Sequence, residues 1–161
     1  MLKISHTLQT LPTSYLDQVR RQGLDDLGQP VERIIAHGGE PCRDVLRRAH
    51  AGEELILASY CPFKIAGPYK EYGPIFILAN ASAEDVANDS ISCSATSEDR
   101  SYLQAQFVLR AYSEQERIVE ACISSPEKAE SDLARLFSRA EVAFVLIRFA
   151  AYGCYAARIN R

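Results

Sequence analysis

The chain has 161 residues and a formal net charge of −3, with 47% hydrophobic and 24% charged side chains. That balance excludes global disorder, which needs low hydrophobicity and high net charge. A pI near 5.6 argues against a generally basic nucleic-acid binder. The length suits one domain spanning residues 1–161, burying about 70% of the surface its unfolded chain exposes.

Residues 2–8 alternate apolar and polar, which predicts a first strand. The same alternation lacks the uninterrupted apolar run of a secretory signal. Pro12 and Ser14 precede Leu16 and Val19 at helical spacing, and Asp17 three residues after Ser14 adds a weak capping signal. Gly23, Gly28 and Pro30 punctuate the loop that follows, and residues 31–36 read as a strand.

After Gly38 and Gly39, Pro41 suits the first turn of a helix, because its missing N–H is an orphan there anyway. Cys42, Val45, Leu46 and Ala49 fall on one face of that expected helix, and Gly52 stops it. Residues 53–60 predict a central strand. The loop 61–73 holds Pro62, Pro68, Gly67 and Gly73 together with Phe63, Tyr69 and Tyr72, and residues 74–79 form the next strand.

Residues 80–100 are rich in Ala, Ser, Asp and Glu and predict a mobile surface segment. Residues 81–100 carry net −4, which leaves +1 for the rest of the chain. Residues 101–112 give the clearest strand, with Phe107, Leu109 and Ala111 on one face and Val108, Arg110 and Tyr112 on the other. A turn at 113–116 leads into a partner strand, 117–123. Ser124 or Ser125 then caps a helix whose apolar stripe is Ala129, Leu133, Leu136, Phe137 and Ala140. Residues 142–149 and 154–160 form a final antiparallel pair.

These elements predict an α+β domain: one mostly antiparallel sheet of about eight strands, barrel-like or strongly curved, with about three short helices. No stretch approaches the ~20 apolar residues of a membrane-spanning helix. The five cysteines, Cys42, Cys61, Cys93, Cys122 and Cys154, are odd in number and form no C-x-x-C pair. They predict mostly free thiols in a cytoplasmic protein, with neither nucleic acid nor membrane as a partner.

Several segments together carry a resemblance. They are Glu40-Pro41-Cys42-Arg43-Asp44-Val45-Leu46 with Gly52-Glu53-Glu54-Leu55-Ile56-Leu57, Pro68-Tyr69 with Gly73-Pro74-Ile75-Phe76, Leu109-Arg110-Ala111-Tyr112, and Arg148-Phe149-Ala150-Ala151-Tyr152-Gly153-Cys154. From about residue 30 to the end, the chain resembles the family catalogued as domain of unknown function 1203. The resemblance implies a small bacterial protein and no assigned activity or cofactor. The family's pattern places a second cysteine three residues after the first, and a histidine near the end of the Gly-Pro-Ile-Phe strand. Here those places hold Val45 and Leu78, so a metal held through them in relatives is not held that way in this chain.

Two chemistries are legible in the residues. Cys42, at the start of the expected helix and beside Arg43, is placed where a helix dipole and a guanidinium would favour thiolate. His37 or His50 would then supply the base of a cysteine enzyme. The bland reading of Cys42 is a small buried side chain on the apolar face.

Arg110, Arg148 and Arg158 have no acidic neighbour within their own strands. If they converge, they form a site for a small anionic metabolite, because a planar guanidinium suits carboxylate or phosphate. Otherwise they pair with Glu53, Glu54, Glu71 or Glu120 across the sheet, or simply face solvent. Arg43, Tyr69, Arg110, Arg148, Cys154 and Arg158 are therefore the candidate ligand-binding residues. His6, His37 and His50 show no metal spacing. The preferred reading is a binding module for an anionic metabolite. The alternatives are a Cys42 enzyme and an interaction protein that forms a homodimer through a strand edge.

Overall fold

The computed structural model describes residues 6–84 and 102–161. In chain order the elements are β1 (Thr7–Gln9), α1 (Thr13–Asp17), β2 (Glu32–Ile35), β3 (Pro41–Cys42), β4 (Arg47–Arg48), β5 (Glu54–Tyr60) and β6 (Gly73–Leu78). They continue as β7 (Phe107–Tyr112), β8 (Ile118–Ser124), α2 (Ala129–Phe137), β9 (Phe144–Phe149) and β10 (Tyr155–Asn160). A π-helical turn, Gln18–Gln22, extends α1 and ends at Gly23, whose φ of 68° would strain a residue with a side chain.

The strands form two open five-stranded sheets. The first runs β1-β10-β9-β7-β8 and is antiparallel throughout. The second runs β2-β5-β6-β3-β4, with β3 and β6 its one parallel pair. Strand β9 is buried at every position because both faces of the first sheet are covered.

On one face, Leu109, Ala111, Val145 and Ile147 pack against Leu133, Leu136 and Phe137 of α2. On the other, Tyr112, Phe144, Leu146 and Tyr155 meet Ile56, Ala58, Ile75 and Ile77 of the second sheet. The alternation along residues 107–112 assigns these two faces correctly. Glu130 and Asp132 in the first turn of α2, and Arg135 in its last, match the helix dipole.

Three expectations need correction. The single barrel-like or strongly curved sheet of about eight strands is replaced by two sheets that are neither closed nor strongly curled. The helix over 42–49 does not form, which leaves two α-helices among the described residues where about three are expected: Pro41–Cys42 pairs with Arg47–Arg48 around a turn in which Leu46 adopts φ 49°. Side-chain-to-backbone bonds outweigh the helical spacing here. Glu40 accepts the His37 and Gly38 amides at 2.7 and 2.9 Å, Asp44 accepts the Leu78 amide at 3.1 Å, and Glu53 accepts the His50 amide at 2.7 Å. The strand expected from residue 101 begins at Phe107, after Gln104 turns the chain at φ 62°.

The expected mobile segment 80–100 falls, from residue 85 on, outside the described residues. Among the described residues, no helix is long and apolar enough to cross a membrane.

Candidate functional site

The face of the first sheet that looks toward the second sheet carries all three strand arginines. Register explains why. Arg110 and Arg158 both stand opposite Leu146, and Arg148 stands opposite Val108, so the three belong to the face of Tyr112 and Phe144.

They do not act as one group. Arg110 donates to Glu71 Oε1 at 3.1 Å, and Arg148 donates through Nη2 to the same oxygen. The Nη1 of Arg148 donates to the Gly153 carbonyl at 2.8 Å. Two of the three arginines are therefore paired, and with an acid that the sequence already offered as a partner. Glu53 instead binds Arg47 at 2.8 Å, and Glu120 binds Arg135 and Arg139.

Arg158 behaves differently. Its guanidinium lies 3.7 Å from the centroid of Phe144. Nε donates to Asn160 Oδ1 at 2.9 Å and Nη1 to the Pro62 carbonyl at 3.2 Å. Among the described residues no carboxylate pairs with it. It forms part of the wall of a cleft of about 380 Å³ with Lys64, Asp26, Tyr15, Tyr60 and Tyr155. That volume suits a small metabolite.

The tyrosine rings line up along the cleft, Tyr15 tilted against Tyr60 at 4.8 Å and Tyr60 edge-on to Tyr155 at 5.1 Å between centroids. Burial raises the Tyr60 hydroxyl to about 12, so it stays a neutral donor at physiological pH. Asp26 accepts the Cys61 amide at 2.8 Å. Loss of solvent, with the charge of Asp25 adding to it, raises the Asp26 carboxyl above its ordinary range.

Cys42 stands apart from this cleft and from a helix start. It is fully buried, packed with Ala36, Val45, Ala49, Leu55 and Leu78. Its Sγ lies 3.7 Å from the Glu40 carbonyl, the acceptor of its thiol. Burial, with Asp44 adding to it, pushes the thiol up to about 12, which leaves almost no thiolate at neutral pH. Both His37 and His50 are exposed.

Arg43 is also buried, but it donates to the Tyr155 and Pro41 carbonyls at 2.8 and 2.7 Å. Tyr69 is partly exposed and lies under Arg117, 5.4 Å from its guanidinium carbon. Cys154 is half-buried at the β9–β10 turn, with Sγ 3.7 Å from the Tyr152 carbonyl. Cys42, Cys61, Cys122 and Cys154 are free thiols, and Cys93 lies outside the described residues.

The family pattern described as Protein of unknown function (DUF1203) matches residues 39–161. The chain belongs to this family. No curated protein and no solved structure matches it. In this DUF1203 chain Val45 and Leu78 sit in the same apolar cluster as Cys42. Among the described residues, no group of three or more His, Cys, Asp or Glu is placed to hold a metal ion.

Residue-by-residue reading missed three acids around the site: Asp26 in the cleft, Asp25 behind it, and Glu116 at the loop. Asp25 is buried and accepts the Leu27 and Gln29 amides, both at 2.9 Å. The Asp-Asp pair before Gly28 is a turn signal of the kind that uses a carboxylate to close its own loop. Glu116 left no such local signal, because its partners Lys64 and Ile65 lie more than fifty positions away.

Proposed function

We propose that this DUF1203 protein is a binding module for a small anionic metabolite, held in the cleft headed by Arg158. One observation carries the reading: Arg158 has no carboxylate partner among the described residues and lies in the wall of a cleft beside a second cation, Lys64. Its Nη2 donates to no described acceptor. Stacking on Phe144 and the bonds of Nε and Nη1 hold the guanidinium in one orientation, so little side-chain entropy is lost on binding. The tyrosine rings supply apolar wall, and Tyr60 a neutral hydroxyl, which suits an organic anion better than a bare ion.

The test is a thermal-shift screen with small carboxylates and organic phosphates, followed by calorimetry on whichever compound raises stability. Arg158→Ala removes a charge-assisted bond of about 1.5–3 kcal/mol, so affinity falls about 10- to 100-fold. An Arg158→Ala protein that responds to the same compound as the wild type refutes the reading.

A pH dependence follows from Asp26. Its carboxyl, which burial raises above the ordinary aspartate range, protonates earlier than an exposed aspartate as pH falls from neutrality. Protonation removes a negative charge from the wall, so affinity for an anion rises as pH drops through that range. Sulfate stays fully ionised and isolates the effect. Titrations of sulfate at stepped pH should show this rise in the wild type and a flat profile in Asp26→Asn.

A further inference from the structure

The other two arginines show a second feature that the cleft does not use. Arg148 is 8% exposed, and its Nε is buried without a hydrogen-bond partner. Nε and Nη2 are the two lateral prongs of a guanidinium, the pair that a carboxylate takes with both oxygens. Glu71 fills only the Nη2 prong, with a single oxygen that it shares with Arg110. The fork is half-filled, and a buried donor left unmatched keeps its desolvation cost. Charge is also unbalanced, since two guanidinium groups face one carboxylate. Glu71 itself is 44% exposed and sits on the 61–72 loop between β5 and β6, so it has solvent to retreat into.

We propose that Arg110 and Arg148 form a second anion site, shaped for an anion that offers two oxygens to one guanidinium, as a carboxylate does, in which Glu71 is a resident stand-in displaced by the ligand. An incoming carboxylate accepts from both prongs of Arg148 and from Arg110, so it satisfies the donor that Glu71 leaves bare. The protein's own carboxylate competes at an effective concentration of about millimolar or higher, because it is tethered. The resting protein therefore binds simple carboxylates weakly and rejects anions that cannot use both prongs.

Acetate is the probe. Removing the competitor with Glu71→Gln should tighten acetate binding about tenfold or more, measured by calorimetry. Adding Arg148→Lys to that variant should abolish the gain, because an ammonium presents no fork. Acetate binding unchanged by Glu71→Gln, or retained in the Glu71→Gln/Arg148→Lys protein, overturns the proposal.

A second measurement needs no variant. In the wild type, nitrogen NMR should show the Arg148 Nε–H resonance moving with added acetate and standing still with chloride at equal ionic strength. A resonance that ignores both overturns the proposal as well. Arg158→Ala leaves every one of these readouts in place, so the fate of this site and that of the cleft are told apart.

Discussion

Glu116→Ala is expected to destabilise the protein by about 3 kcal/mol and to lower its melting temperature by about 6–12 °C. The buried carboxylate of Glu116 accepts the Lys64 amide on both oxygens, at 2.9 and 3.0 Å, and the Ile65 amide at 2.8 Å. Nothing within the 61–72 loop replaces these bonds, so alanine strands two amides at the base of the loop. Glu116→Gln keeps the shape but offers only one oxygen, and should cost about half as much.

The backbone supplies a second, independent reading of the same position. Glu116 holds φ 57° in the turn that joins β7 to β8. A residue with a side chain gives up about 1 kcal/mol there relative to glycine. Glu116→Gly should therefore be more stable than Glu116→Ala, although both lose the carboxylate. Amide exchange at Lys64 and Ile65 should speed up in every one of these variants. If Glu116→Ala melts within about 1 °C of the wild type, the clamp contributes nothing and the loop is held by its apolar residues alone. The loop also carries Pro62 and Lys64 into the cleft wall, so the same substitutions should weaken anion binding there.

The strands and α2 were legible because their periods report burial directly. Leu109 and Ala111 face α2 while Arg110 and Tyr112 face the second sheet, as alternation requires. Segment 41–49 departs from the helix that its apolar spacing fits, because its fold is decided by distant partners. Cys42 pairs with Phe76, and Arg43 donates its backbone amide to the Phe76 carbonyl at 2.9 Å. No local period encodes a contact more than thirty residues away. Losing the helix also removes the electrostatic reason for an activated Cys42, and burial then acts in the opposite direction.

The arginines were half legible. That Arg110 and Arg148 share a face follows from strand register, and that Glu71 completes the pair follows only from how the 61–72 loop folds back. Arg158 lies one strand away on the same face, yet Pro62 and Asn160 draw it to the cleft.

Arg43→Ala should be the other large loss, about 3–4 kcal/mol, and the order of its replacements tells why. Arg43 leaves the β3–β4 turn of the second sheet and reaches the Tyr155 carbonyl on β10 of the first, so it ties the two sheets together. It stacks 5.0 Å from the centroid of Phe149 and has no carboxylate partner among the described residues. Burial disfavours its charge, and the bonds to Tyr155 and Pro41 offset that cost. Alanine forfeits both bonds and opens a cavity. Methionine forfeits both bonds as alanine does, but it fills the stem and removes a buried charge that has no carboxylate partner among the described residues, so Arg43→Met should lose about 2 kcal/mol, less than alanine by the cavity it avoids. Lysine keeps the charge but, as a point donor, cannot span both carbonyls, and should fall below methionine. Chemical denaturation of the three variants settles the order. Lysine outranking methionine would mean that charge rather than packing holds the sheets together. Because the donors of Arg43 are spent inside the fold, Arg43→Met should bind anions in the Arg158 cleft as the wild type does, whereas a ligand role for Arg43 requires that binding to fall.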